Sequence, residues 1–459
     1  MSNSRLLERG GRWLRSFLTT QRILILSFAF LILVCTIILM LPAAVHGATL
    51  SFIDALFTAT SAACVTGLVV VDTGTKFTAL GQLAILLTIQ VGGLGIMTFS
   101  TALLYLVAGR FSLTNREVLQ ETISQGPTPD LWALVKTVFV ATLIIEFIGA
   151  VLLSIRFVFD MEVGPAIYSG IFHAISAFCN AGFALFPDSV IAYQSDLVLN
   201  LSLMILVVLG GIGFPVIYEL YSMRRAHHTR LSLHARLVLV TTAILIAGGA
   251  LLILLLESKN ADEQLPWQAK LLTSLFQSVT TRTAGFNSMD IGSLSNPTLF
   301  IMIILMFVGA SPASCGGGIK TTTFAVIMAQ IKARFYGRED TNLYFRRIPS
   351  ASISKAITLA FFSTAIIILW TVLLLITELA GLSHRESRGL FLELLFEVTS
   401  AFATVGLSTG ITSTLSPLGR LLIVLLMFIG RLGSLTIALA VSQHDRKNFR
   451  YAEEEVMIG

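Results

Sequence analysis

The residues of this chain whose types and spacing could do chemistry offer main chain more than side chain. They sit in four short stretches: FTATSAACVTGL from Phe57, FHAISAFCNAGF from Phe172, FQSVTTRTAGF from Phe276 and FEVTSAFATVGL from Phe396. Each is an amphipathic Phe/Ser/Thr segment closing on a glycine, Gly67, Gly182, Gly285 and Gly406, at spacings of 115, 103 and 121 residues. The third copy is one residue shorter between Phe and Gly. A helix that enters a membrane and stops halfway aims its C-terminal carbonyls, with their partial negative charge, at the middle of the protein. Glycine behind it admits positive φ and carries no side chain. Main-chain oxygens can then face a shared axis and replace the hydration shell of a cation. Small residues that pack membrane helices would account for one such glycine. Four in the same local setting, each between two apolar runs, indicate a repeat whose chemistry is ion coordination.

Other candidates weigh less. Phe307-Val308-Gly309-Ala310-Ser311-Pro312-Ala313-Ser314-Cys315-Gly316-Gly317-Gly318-Ile319-Lys320-Thr321 packs four glycines and a proline into fifteen residues of a long apolar run, so a continuous helix is not expected there. Gly309-Ala310-Ser311-Pro312 resembles a serine-hydrolase turn, but Pro312 replaces the required glycine and the nearest base, His173, lies in a repeat segment. Gly316 to Thr321 resembles a phosphate loop, but Ile319 separates glycine from Lys320 and no strand precedes it. His227, His228 and His234 share a linker with Arg224, Arg225 and Arg230, where a solvated basic rim outweighs a metal cluster. Arg431, flanked by Gly430 and Gly433 in an apolar run, is an intramembrane charge and therefore functional by default, facing a wet cavity or carbonyls. Lys320 could reach an interface or bond the loop. Glu146, Glu219, Glu393 and Glu397 are assigned structural roles, and Asp54 the capping of the first short helix.

These residues have to be positioned by a membrane-embedded frame. Of 459 residues 55% are hydrophobic and only 12% charged, about half the charge of a soluble domain, which excludes soluble enzymes, nucleic-acid binders and disordered scaffolds. Eight apolar runs, roughly 22–41, 78–108, 131–158, 196–222, 236–256, 298–330, 355–379 and 417–442, are long enough to span a bilayer. The four short segments, about 51–64, 166–179, 267–281 and 389–402, are not, and read as re-entrant pieces. The predicted fold is all-α and polytopic, with four tandem span–short helix–span units around one pseudo-fourfold axis. The units are residues 22–110, 131–223, 236–333 (with an intramembrane loop at 307–321) and 355–442, joined by linkers 111–130, 224–235 and 334–354, with end segments 1–21 and 443–459. Of 31 Lys and Arg, 21 fall in the ends and linkers and eight (Lys76, Arg156, Lys259, Lys270, Arg282, Arg385, Arg388, Arg420) on the opposite side, which puts both termini in the cytoplasm. The run after the basic N-terminus is too long for a cleaved signal and reads as a retained helix. Cys35, Cys64, Cys179 and Cys315 lie in apolar stretches without metal-ligand spacing and read as free packed thiols.

The arrangement and the wording CVTGL, CNAGF, TRTAGF and ATVGL resemble the Trk/Ktr/HKT superfamily of potassium transporters over nearly the whole chain, and within it the KtrB-like membrane subunits. The resemblance implies a K+ selectivity filter from the main chain of Val65, Thr66 and Gly67; Asn180, Ala181 and Gly182; Thr283, Ala284 and Gly285; Thr404, Val405 and Gly406. Only the fourth copy has the Thr-Val-Gly wording of tetrameric potassium channels, so the filter is quasi-symmetric, and glycine at position 67 favours potassium over sodium. It also implies a gating loop at Gly309, Ala310, Ser311, Pro312, Ala313, Ser314, Cys315, Gly316, Gly317, Gly318 and Lys320, whose wording departs from relatives at Pro312 and Cys315. Arg431 becomes the pore arginine beneath the filter. By the same likeness the chain is not an enzyme. It would carry K+ inward with Na+ as activator, bind no nucleotide or nucleic acid itself, and sit as a homodimer in the bacterial inner membrane on a cytosolic KtrA/KtrC-like nucleotide-binding ring. An ion-coupled solute carrier is the alternative, but such carriers show inverted repeats rather than four of one orientation.

Overall fold

A computed structural model describes residues 20–95, 131–226, 231–258, 260, 265–381, 383 and 385–433. Several parts of the sequence reading lie outside the described residues: 1–19, the second half of the run 78–108, linker 111–130, His227 and His228, the end of the run 417–442, and the tail. The described chain is helical. Its longer helices are α1 (Thr20–Leu39), α2 (Phe52–Ala63), α3 (Ala79–Gly93), α4 (Leu131–Phe157), α5 (Val163–Phe178), α6 (Leu197–Ile212) and α7 (Phe214–Ala226). They continue with α8 (Leu233–Glu257), α9 (Trp267–Thr280), α10 (Asn296–Phe307), α11 (Thr321–Phe335), α12 (Ser350–Glu378), α13 (Leu390–Ala403) and α14 (Pro417–Leu432). An antiparallel hairpin of two-residue strands, β1 (Asn342–Leu343) with β2 (Arg346–Arg347), joins α11 to α12 and, with two isolated bridges, is the extended pairing among the described residues.

Lipid-facing and buried surfaces separate along the sequence. On α4, Leu143, Ile144, Phe147, Ile148, Val151 and Ile155 recur every three or four positions and are exposed, a stripe that suits hydrocarbon and not water. The short helices α2, α5, α9 and α13 are instead enclosed, and the phenylalanine that leads each repeat (Phe57, Phe172, Phe276, Phe396) is buried in all four. Helices in lipid gain no hydrophobic drive from meeting one another, so this interior is held by close packing and polar contacts.

The packing closes a ring. α3 packs on α5, α6 on α9, α10 on α13, and α14 returns to α2. The second long helix of each unit thus leans on the short helix of the next, and the fourth on the first. Within each unit the residue that opens the second helix is tied back to the end of the first or, in the first unit, to the short turn just beyond it. Thr78 donates through N–H and hydroxyl to Ala44 O (3.0 Å) and Ala43 O (2.7 Å), and Asp196 accepts from Arg156. Ser295 and Ser416 each donate N–H and Oγ–H to a carboxylate thirty-eight residues earlier, Glu257 (3.1 and 2.7 Å) and Glu378 (3.0 and 2.6 Å).

Among the described residues, length and composition alone qualify three helices as spans, Val138–Phe157 within α4, α8 and α12, or four if the bent pair of α6 and α7 counts as one. The run 196–222, read from sequence as one span, is two helices meeting at 99°. The break is Gly213, at φ +98°, where a Cβ would overlap Pro312 O, with Pro215 just beyond it to deny a helical hydrogen bond. The run 298–330 is also two helices, α10 and α11, separated by the glycine-rich segment.

An ion pair clasps the first unit to the fourth where the ring closes. Ser51 is the N-cap of α2, its Oγ accepting from Asp54 N at 3.1 Å. The cap is therefore Ser51 and not Asp54, the residue assigned to it from sequence; Asp54 stands inside the first turn and its Oδ2 accepts from Ser51 Oγ at 2.8 Å. Its Oδ1 accepts from Arg420 Nη1 at 2.5 Å, while Arg420 Nη2 donates to Ser413 O at 2.8 Å. Both partners are four-fifths covered, and a hydrogen-bonded pair so placed contributes about 1–3 kcal/mol. Asp54→Asn and Arg420→Gln should each lower the melting temperature of the purified protein by several degrees, and the double substitution by little more. Strictly additive losses in a thermal-shift series would contradict the clasp.

Candidate functional site

The four glycine turns meet at the ends of the short helices. In each, two left-handed residues flank one of negative φ. Val65, Asn180, Thr283 and Thr404 have φ of 55°, 60°, 68° and 52°, and the glycines two places on have 96°, 69°, 79° and 89°. The sign of φ thus alternates along each turn in the same way in all four. Three of the four leading residues are β-branched, for which this conformation costs about 1–2 kcal/mol each. Local hydrogen bonds hold it. The N–H of Thr66, Ala181, Ala284 and Val405 donates to the carbonyl of Ser61 (2.8 Å), Ser176 (2.7 Å), Thr280 (2.9 Å) and Ser400 (2.8 Å).

The same four residues act again through their hydroxyls. Ser61 and Ser400 accept from the N–H of Gly67 and Gly406, both at 3.1 Å. Ser176 and Thr280 donate to the carbonyls of Phe183 (2.8 Å) and Phe286 (2.5 Å), the residues after the glycines. Sequence reasoning passed over these hydroxyls. Their signal was a Ser or Thr six residues before the glycine in three copies, and five before it in the shortened third.

Adjacent turns touch. A Cβ on Gly67 would lie 2.6 Å from Ala181 O, one on Gly182 2.7 Å from Gly285 Cα, and one on Gly285 2.7 Å from Val405 O. On Gly406 it would overlap Thr66 O and approach Gly67 Cα to 2.9 Å. The contacts run first to second, second to third, third to fourth and fourth to first. All twelve residues named from sequence therefore lie in one buried cluster.

Against it lies the segment between α10 and α11. Val308 and Ile319 pair in parallel, Ala310 N donates to Gly317 O (3.2 Å), and Ser311 N and Cys315 N donate to Gly211 O (3.0 Å) and Gly210 O (3.1 Å) at the end of α6. A Cβ on Gly316 would overlap Thr283 Oγ1, and one on Gly317 would overlap Thr404 Oγ1. The glycines thus let this loop press on two of the turns. Ser314 Oγ donates to Ser311 O at 2.7 Å, and Lys320 Nζ to Gly316 O at 2.7 Å, so Lys320 binds the loop rather than an interface.

Arg431 joins this loop to another unit: Nη1 donates to Cys315 O and Nη2 to Gly92 O, near the end of α3. Its position has an internal precedent. Gly92-Gly93-Leu94-Gly95, Gly210-Gly211-Ile212-Gly213 and Gly430-Arg431-Leu432-Gly433 share a register. Their first glycines press on Ala63 O, Phe178 O and Phe402 O, each four residues before a turn glycine, and their last glycines have φ of 76°, 98° and 83°. Arg431 replaces a glycine in the third instance of a pattern that the sequence carries openly.

Other assignments divide. The four cysteines are free and buried, and Cys179 Sγ lies 3.5 Å from Gln90 Oε1. Glu146 accepts from Gln90 Nε2 at 3.0 and 3.1 Å. Arg282, counted on the outer side by its charge, is instead buried just past the end of α9 beside the third turn, with Nη1 unpartnered. Its place in the repeated segment was the better guide. Ser311 Oγ accepts from Thr321 Oγ1 (3.0 Å), whereas both ring nitrogens of His173 are engaged by main chain, so no Ser–His pair forms.

Over residues 13–451 the chain matches the TrkH family, described as a cation transport protein. It is 40% identical to the Ktr system potassium uptake protein B of Bacillus subtilis over 98% of each chain. It is 38% identical to the protein of that name from Vibrio alginolyticus, over 95% of this chain and 94% of that one. A third relative, the potassium/sodium uptake protein NtpJ of Enterococcus hirae, is 34% identical over 97% and 98%. The crystal structure of the potassium transporter TrkH from Vibrio parahaemolyticus superposes with a TM-score of 0.73, covering 92% of this chain and 84% of that one, at 17% identity, which establishes a shared fold. A family match over nearly the full length, with a relative at 40% identity, places this chain in the TrkH family of cation transport proteins, membrane-embedded ion transporters rather than enzymes.

Proposed function

We propose that the chain is the potassium-translocating membrane subunit of a Ktr-type uptake system. The observation that carries this reading is the closed ring of four left-handed glycine turns at the ends of four buried short helices. A ring of carbonyls at helix C-termini offers a dehydrated cation what water offers it, without a fixed negative side chain to trap it. Val65, Thr66 and Gly67 with their counterparts 180–182, 283–285 and 404–406 form the filter, and residues 309–318 with Lys320 form a loop gate beneath it. Arg431 fastens that gate and sets a positive charge in the path. The frame is eight spans in four units, 22–110, 131–223, 236–333 and 355–442, with both ends and linkers 111–130, 224–235 and 334–354 in the cytoplasm. Potassium/sodium uptake named for one relative supports Na+ as activator, and the Ktr system named for others supports further components. The working assembly is a homodimer in the bacterial inner membrane on a cytosolic nucleotide-binding ring, which supplies nucleotide control that this chain does not.

Expression in a bacterium lacking its own potassium uptake should restore growth at low K+, more so with Na+ present; failure to restore K+ or Rb+ entry under either condition contradicts the reading. Gly406→Val, whose side chain would enter the ring at Thr66 O from a left-handed position, should cut initial Rb+ influx by about tenfold or more, the equivalent of about 1.4 kcal/mol or more of strain and obstruction. Arg431→Gln loses one of the two carbonyl contacts, so the loop should open more readily and raise Rb+ influx by about threefold or more, roughly the effect of one charge-assisted hydrogen bond partly lost. An unchanged or lower influx, at equal protein in the membrane, would remove Arg431 from the gate.

A further inference from the structure

Behind the ring, one position of the short helices differs in every unit. Nine residues before the turn glycine stand Thr58, His173 and Glu397, and eight before it in the shortened third copy stands Gln277. All four are polar and buried, yet they do different things. Thr58 Oγ1 donates within its own helix, to Asp54 O at 2.9 Å, and neither amide atom of Gln277 has a hydrogen-bond partner.

His173 and Glu397 reach across to the chain that leaves the ring. His173 Nδ1 lies 2.7 Å from Ser169 O, which can only accept, so Nδ1 carries the proton. Nε2 is then a lone pair, and it accepts from Leu185 N–H at 3.3 Å, three residues past Gly182. The ring is clamped by Phe186, stacked at 4.8 Å and 21°, with Phe157 at 5.7 Å. Glu397 Oε1 accepts from Thr412 Oγ1, six residues past Gly406, and that hydroxyl lies 2.9 Å from Ser408 Oγ. The second and fourth units stand opposite one another in a ring that closes in chain order. Two opposite exits are therefore tied to their helices from this position, while Thr58 and Gln277 tie neither of the intervening exits.

We propose that His173 and Glu397 are specificity-determining residues: by tying the exits of two opposed turns to their short helices, they keep the carbonyl ring from contracting around a cation smaller than potassium. This rests on the filter reading above. The tethered units resist the inward shift that sodium, with its shorter contacts to oxygen, would require, while a potassium-sized ion needs no shift. Neither residue touches the ion, and both act through Leu185 and Thr412.

The test is the ratio of Rb+ to Na+ initial uptake, with protein in the membrane measured alongside. His173→Phe keeps the aromatic packing and loses the acceptor, and Thr412→Val keeps the shape and loses the donor to Glu397. Each should lower the Rb+/Na+ ratio by about tenfold, chiefly through faster Na+ entry, the result of a ring freed to adapt to the smaller ion. His173→Gln, whose amide oxygen can accept from Leu185 N–H, should recover most of the ratio, which a role in packing alone would not give. Ratios within twofold of the unsubstituted protein in both acceptor- and donor-loss variants would overturn the proposal while leaving potassium uptake intact. If His173→Phe does not accumulate, Thr412→Val decides alone, a lowered ratio supporting the proposal and an unchanged one overturning it. Absence of Rb+ entry in the unsubstituted protein would instead defeat the potassium reading itself.

Discussion

Main-chain polar groups that leave helical geometry inside a membrane must find partners within the protein, because lipid supplies none. Four such departures occur together here, and the surrounding structure is organised around satisfying them. Each turn N–H between the two left-handed residues returns to a Ser or Thr carbonyl of its own short helix, and that residue's hydroxyl takes a second group. The cost of placing Val65, Asn180, Thr283 and Thr404 in the left-handed region is offset locally, four times over, by the same device.

The second constraint is proximity. Turns that approach as closely as Gly67 to Ala181 O, or Gly285 to Val405 O, leave no volume for side chains, and the helices behind must approach closely too. Gly92, Gly210 and Gly430 do this at one register, each against the carbonyl four residues before a turn glycine. Three residues on, Gly95, Gly213 and Gly433 leave helical geometry, and at Gly213 the chain bends by 99°. A helix that is pressed against a short helix and then broken is well suited to flank a loop, and the 308–320 segment donates hydrogen bonds to Gly210 O and Gly211 O at that level and accepts one from Arg431.

Much of this was legible in sequence because it repeats. The Phe-to-Gly segments announce the short helices, whose observed limits lie within a few residues of the apolar half-spans. Glycines 316–318 with Pro312 announce a break between 307 and 321. What escaped was information carried at a single residue or across distance. Gly213 looks like an ordinary packing glycine in a run that is otherwise continuous, and only its φ and the contact with Pro312 expose the bend. Arg282 was sorted by charge, although its place in a buried repeat fixed its burial. Asp54 was read as the cap that Ser51 in fact supplies, and that local reading hid a partner 366 residues away. Ser61, Ser176, Thr280 and Ser400 were visible as composition but not as a fixed register.

Under the function proposed above, the four turns hold a dehydrated monovalent cation between their carbonyls. Anomalous diffraction from crystals grown with Rb+ in place of K+ tests it most directly. Density is expected on the axis enclosed by residues 65–67, 180–182, 283–285 and 404–406, within coordination distance of oxygens from all four. Density confined to other surfaces, or bound by one turn alone while transport proceeds, would contradict it.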